Sequence, residues 1–139
     1  SSVIVRKKIL IKIGLMDENK ELIAAEDYNT WLKISKFTDQ FLYLPKKLGF
    51  YYIHYEGISQ KNMSIPTQKA TQDFLHILNN KKKKKIEANI NYISGRFNYL
   101  NFNYKQAKKD LLFVLRSSSF KFRLKSLIMI VHIIISFNR

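Results

Sequence analysis

Two adjacent carboxylates, Glu26 and Asp27, stand just ahead of the single tryptophan, Trp31, in a chain with 25 Lys or Arg and 10 Asp or Glu. A carboxylate held at such a point can act as a general base toward a hydroxyl, or it can serve a helix start, where it meets free N–H groups and the positive end of the helix dipole. Trp31, one helical turn past Asp27, reads either as the lining of a cleft or as core. His54, at the end of the aromatic run "LGFYYIHY", offers an imidazole to a metal or an anion, or fills a structural place. Ser59 closes that segment. Five consecutive lysines, Lys81, Lys82, Lys83, Lys84 and Lys85, read either as a solvated linker or as an electrostatic contact for an anionic membrane.

The elements that must position these groups fall into two regions. "SVIV" reads as a short strand, and "RKKILIKIG" as a short helix with apolar residues at 9, 10 and 13 and a left-handed cap at Gly14. "LMDENKELIAA" is a turn-rich connection, after which Glu26 opens a helix running to about Phe37. "FLYLP" and "LGFYYIHY", separated by Pro45, Lys46 and Lys47, read as two strands. Residues 1–60 are therefore expected to be mixed α/β.

Residues 61–139 show helical periodicity throughout. Pro66 marks a helix start, with Ala70, Phe74 and Ile77 on one face. Ile86, Ile90, Ile93, Phe97 and Leu100 give the clearest amphipathic stripe, and Tyr104, Ala107, Leu111 and Val114 a further helix after "NFN". A connection that short predicts an antiparallel hairpin. The spacing of Gly95, Tyr104 and Ala107 resembles a single tetratricopeptide-type unit. The last apolar segment carries a polar stripe of Lys121, Lys125, His132 and Ser136, and it is too short to span a bilayer. It reads as a helix buried on that hairpin or lying in lipid head groups, while "FKFRLK" also allows a strand.

Charge divides the chain at the same place. Residues 1–60 carry a net +2 and residues 61–139 a net +13. The basic field suits nucleic acid, anionic lipid or a phosphate-bearing substrate. The absence of cysteine excludes disulfide scaffolds and thiolate chemistry, and suits a reducing compartment. The three histidines lack the spacing of a helical zinc site. No Gly-rich phosphate loop or signal peptide is visible.

The succession "SSVIVRKKILIKIGLMDE", "AEDYNTWLKIS" and "FLYLPKKLGFYYIHYEGIS" resembles the C-terminal half of the catalytic domain of family-2 glycosyltransferases of the GT-A type. There a strand and a Gly-capped helix are followed by Glu-Asp-x-x-x-Trp-Leu and then by a Tyr-Arg-x-His segment ending in Ile-Ser. The resemblance implies that Asp27 is the catalytic base of an inverting sugar transfer, with Glu26 and Trp31 on the acceptor. It places His54 near the diphosphate or its metal, with Ser59 beside it. Tyr52 stands where the family has its arginine.

It further implies a nucleotide-sugar donor, a glycan or lipid-linked acceptor and a divalent cation, Mg or Mn, in the complete enzyme. The Asp-x-Asp motif that holds that cation in the family does not occur in this sequence. The chain is thus expected to be the acceptor-side piece of a transferase that builds surface polysaccharide, lipopolysaccharide or glycolipid. It is expected to be inactive alone, and cytoplasmic at the inner membrane face. A degenerate remnant that mediates protein contacts, or a non-catalytic basic helical module for nucleic acid or anionic membrane, is the competing expectation.

Overall fold

The computed structural model describes residues 3–50, 52, 57, 61–117 and 119–137. Among them the regular structure is helical: α1 (Lys7–Lys12), α2 (Glu26–Ser35), α3 (Ser64–Gln72), α4 (Asn80–Leu100), α5 (Tyr104–Ser117) and α6 (Phe120–Phe137), with short 3-10 turns at Lys20–Leu22 and Leu75–Ile77.

α1 ends as its sequence predicts. Gly14 takes φ +84° and Leu15 follows at +65°. The Leu15 N–H then reaches the Leu10 carbonyl at 2.8 Å, so the reversal satisfies a carbonyl that the helix end leaves free. Leu15 bears the cost of that left-handed turn, roughly 1 kcal/mol. The chain next turns at Asn19, whose side chain accepts the Glu21 N–H at 2.9 Å and starts the first 3-10 turn. That turn delivers Leu22 and Ala25 to a small core shared with Ala70 of α3 and closed by Met63.

α2 packs on α3 through an unexpected set of residues. Its buried positions are Asn29, Thr30 and Ile34, while Trp31 and Leu32 are half-buried and Tyr28 is exposed. The Asn29 amide donates to the Ala70 carbonyl at 3.3 Å, and the Thr30 hydroxyl returns to the Glu26 carbonyl at 2.8 Å. The interface between these two short helices is therefore partly polar. Pro66 occupies the third position of α3, which starts two residues earlier than Pro66 suggests.

The larger core lies in α4, α5 and α6. α4 and α5 form the expected antiparallel hairpin, reversed at 101–103 with Phe102 at φ +59°. Ala107, Leu111, Ile130 and Ile133 are its buried centre, with Tyr92, Tyr99, Tyr104, Leu115 and Met129 around them. The seam of α4 against this core runs through Ala88, Tyr92, Gly95 and Tyr99. The stripe at 86, 90, 93 and 97 is only half-buried, and Leu100 is exposed. Ile86 and Ile90 face α3, and Ile93 and Phe97 face Lys61 and Met63. Small residues set the deep seam because they let helix backbones approach, and a hydrophobicity pattern does not register them.

The strand expectations for residues 1–60 are corrected, and the strand alternative for "FKFRLK" gives way to its helix reading. No strand is present among the described residues, so the mixed α/β assignment of residues 1–60 does not hold there. Residues 3–6 are extended without a ladder, and residues 41–50 are exposed, with N–H groups of Phe41 and Lys46 satisfied by carbonyls two residues back. Aromatic and β-branched residues favour strands only where a neighbouring strand and a half-buried face are supplied, and neither is supplied here. Residues 51 and 53–55 of the second expected strand lie outside the described residues. "FKFRLK" is helical, as the start of α6.

The lysine run is helical too, which corrects its reading as a linker. Asn79 caps α4 by accepting the Lys82 N–H at 2.9 Å. Lysine is a good helix former, so Lys81, Lys82, Lys83, Lys84 and Lys85 make the first turns of α4 instead of a solvated connection.

The α4–α5 crossing is tight at one point. A Cβ at position 95 would stand 2.9 Å from Cγ of Leu111 and 3.1 Å from Cβ of Asp110, both on buried residues. Gly95→Ala gains about 1 kcal/mol of helix propensity but meets an overpacking cost of about 1–3 kcal/mol. The expected outcome is a lower thermal midpoint, followed by circular dichroism at 222 nm, in spite of the better helix former. A raised midpoint would show that the crossing is looser than described.

Candidate active site

The acidic pair sits where the helix dipole places it. Ala25, the residue before α2, has no side-chain cap to offer, and Glu26 and Asp27 fill the first turn in its stead. Oδ1 of Asp27 accepts the Tyr28 N–H at 2.6 Å, satisfying one of the donors that a helix start leaves free. No hydrogen bond or ion pair from the described residues reaches Oδ2 of Asp27 or the Glu26 carboxylate. Both side chains are half-buried. One oxygen of Asp27 thus serves the helix, and the other is open to an incoming hydroxyl.

Two nearby acids are ion-paired, whereas Glu18, Asp39 and Asp73, like the pair on α2, have no ion pair among the described residues. Asp17 pairs with Lys33 of α2 at 3.2 Å, and Glu21 pairs with Lys69 of α3 at 2.9 Å. Lys36 lies over the Phe74 ring at 4.2 Å and Lys12 over the Phe37 ring at 4.8 Å. α2 is therefore held on several sides by cations from or to its neighbours: Lys33 to the turn after α1, Lys36 to the end of α3, and Phe37 to α1. Each such contact is individually weak in water, but together they tie α2 to the elements on either side of it.

Trp31, one turn beyond Asp27, borders a groove of its own. It lines a groove with Val5, Arg6, Ile9, Ile34 and Phe41, against the extended residues that precede α1. Asp27 is not among the residues of that groove. Glu26, Asp27 and Trp31 thus share one helix, with Trp31 lining this groove and the two carboxylates in the first turn. His54 and Ser59 lie outside the described residues.

The five lysines expected to meet an anionic surface are divided by the helix they form. Lys81, Lys82, Lys84 and Lys85 are exposed around the first turns of α4. Lys83 alone is half-buried, in a groove between α3 and α4 that also holds Ser64, Gln68, Glu87 and Ser94. Successive residues on a helix point about 100° apart, so the run does not present five charges to one plane.

The fit to a divalent cation is poor. Among the described residues no three acidic, histidine or cysteine side chains converge. At Glu26 and Asp27 there are two carboxylates, one oxygen of which is engaged by a backbone N–H, and hard cations of this kind require near-complete oxygen shells. The described residues do not form such a site.

A buried acid elsewhere escaped the sequence reading. Asp110 is almost fully buried on α5, where the Ser94 hydroxyl donates to Oδ2 at 2.6 Å and the Gln106 amide to Oδ1 at 2.7 Å. Asn98 approaches the same Oδ2 at 3.5 Å. The one signal for it was position: an acidic residue three after Ala107 and one before Leu111, inside the core register of α5. His132, read as part of a polar stripe, instead accepts or donates at 3.1 Å to the Tyr99 hydroxyl and ties α6 to α4.

No family model, curated protein or solved structure matches the chain.

The clamp on α2 is expected to depend on pH. The Asn19 backbone N–H, and after it Lys33, hold the Asp17 carboxyl below its ordinary value of 3.8. A lowered value means that the contribution is present above that pH and is lost as pH falls through the folded-state value. Lys69 is raised above its ordinary 10.5 by Glu21, so its contribution is present below that pH and lost as pH rises beyond it. In acid titrations of stability, Asp17→Asn should be less stable than the parent at pH 7 and equal to it once the parent carboxyl is protonated. Parallel curves at all pH values would contradict the clamp.

Proposed function

We propose that the chain is the acceptor-side piece of an inverting glycosyltransferase, in which Asp27 takes the proton of an acceptor hydroxyl. The supporting observation is the position of Glu26 and Asp27 side by side in the first turn of α2, where no cation among the described residues pairs with either. A carboxylate with no cation seated on it leaves room for a substrate hydroxyl. The ordered series of Glu26-Asp27, Trp31-Leu32 and the Tyr52 to Ser59 segment supports the same reading from the sequence.

In the proposed step the acceptor oxygen attacks the anomeric carbon as its proton passes to Oδ2 of Asp27. The bond from that carbon to the nucleotide diphosphate breaks on the opposite face, and the configuration inverts. Glu26, next in the helix turn, holds a second hydroxyl of the acceptor. Trp31 serves acceptor binding at the groove beside residues 5 and 6, a turn away from the base, where an indole face suits a sugar ring. The donor and any metal that accompanies it belong to residues other than the described ones.

The products under this reading are surface polysaccharide, lipopolysaccharide or glycolipid, made at the cytoplasmic face of the membrane. No helix among the described residues is long and apolar enough to cross a membrane. The helical architecture of the described part of residues 1–60 asks for the function to rest on the residues at α2 and not on a sheet.

The test is Asp27→Asn in a complete enzyme that contains this chain. Loss of a general base is expected to lower kcat by about 10²- to 10⁴-fold with little change in the KM for the donor. The variant should keep its helicity, because asparagine also accepts at a helix start. Activity within a few-fold of the parent would contradict the assignment.

A further inference from the structure

α6 is buried on one side only. Wound at 3.6 residues per turn, Ser126, Ile130 and Ile133 form its inner line against α5, at i, i+4 and i+7. The opposite side carries Leu124, Leu127, Ile128, Val131, Ile134 and Ile135, each between 44% and 61% exposed. These residues recur at i, i+3, i+4, i+7, i+10 and i+11 and make one continuous apolar arc about 17 Å long at 1.5 Å per residue. A contiguous apolar surface of this kind marks a place where something docks.

Charge indicates what docks. Arg123 borders the arc on one edge and Lys121 and Lys125 on the other, all in the first two turns of α6, and the sequence holds no Asp or Glu after Asp110. The hairpin topology brings the start of α4, with its lysine run, and the end of α5, with Arg116, to the same end of the bundle as the start of α6. A second copy of α6 offers those cations no acidic partner, in parallel or antiparallel register. Nucleic acid would answer the cations but not the arc, which consists of aliphatic side chains without rings to stack on bases.

We infer that the outer face of α6 docks on an anionic lipid surface, lying in the plane of the head groups. The aliphatic arc enters the boundary of the acyl chains, and Lys121, Arg123 and Lys125 reach the head groups from its edges. Its three charges in the first turns, and its single polar flank, fit a helix that lies on a bilayer, and no described helix is apolar enough to cross one. This inference stands independently of the sugar-transfer reading, since none of its residues lies on α2.

The test uses the whole 139-residue chain with large vesicles of phosphatidylcholine alone or with about one-third phosphatidylglycerol, separated by sedimentation. The parent is expected to bind the anionic vesicles and to be released by salt. Val131→Ser with Ile135→Ser, at exposed positions that leave the core untouched, should weaken binding at least tenfold while preserving helicity. The triple change Lys121→Gln, Arg123→Gln and Lys125→Gln should weaken it about a hundredfold, from roughly a fivefold effect per basic residue near the surface. Binding indifferent to lipid charge, or unaffected by the two serines, would overturn the inference. So would self-association in the absence of lipid that the serine pair abolishes, accompanied by no vesicle binding, or binding of single-stranded nucleic acid in preference to the anionic vesicles.

Discussion

The C-terminal layer depends on a missing side chain. With only hydrogen at position 95, α4 approaches α5 until Leu111 and Asp110 occupy the space a Cβ would need. Everything buried in that layer follows from the approach: Leu111 and Val114 become inaccessible, and Asp110 comes within reach of the Ser94 hydroxyl. An acid buried this deeply needs its acceptor sites filled, and the close crossing is what brings donors from the facing helix to it. α6 then closes on the same seam through Ile130 and Ile133, with the Tyr92 ring 4.6 Å from that of Phe122 and Tyr99 on His132.

The N-terminal unit is built by other means. Its core holds small and medium side chains, Leu22, Ala25, Ala70 and Met63, and it is supplemented by hydrogen bonds and lysine contacts at its edges. Such contacts are individually weak in water. Their consequence is directional: they orient α2, and α2 alone presents Glu26 and Asp27. The catalytic reading rests on that pair of adjacent carboxylates in one helix turn, which no lysine among the described residues pairs with.

The helices of this protein were legible in the sequence where local chemistry decides them. Gly14 as a cap, the helix opened by Glu26, the break at "NFN" and the hairpin after it all follow from turn residues and periodicity. The expected strands failed because strand formation is decided by a partner that the local sequence does not describe. "SVIV" and "FLYLP" carry the right residue types and find no ladder among the described residues. The run from Lys81 through Lys84 to Lys85 departs from its linker reading for the opposite reason: charge repulsion argues for a linker, and the Asn79 cap with lysine's helix propensity outweighs it. At the site, Glu26 and Asp27 were legible from their position at a helix start. The groove that Trp31 lines was not, because it depends on how residues 3–6 and 41 fold across α2. Asp110 was hidden by its own environment, since the donors that make its burial tolerable come from the facing helix α4 as well as from α5.

The two cores differ in what they leave uncovered, and α6 is where the difference is largest. A helix can be apolar on both sides only if both sides are served, and α5 and α4 serve one. Because the chain contains no cysteine, single cysteines along α6 report this directly through their rate of reaction with a maleimide. Without lipid, cysteines at Leu127, Val131 and Ile135 should react at the rate of an exposed thiol, and those at Ser126 and Ile133 more slowly by tenfold or more. Equal rates around the helix, or protection of the 127, 131 and 135 face, would contradict a bundle closed on Gly95 with its last helix buried on one side.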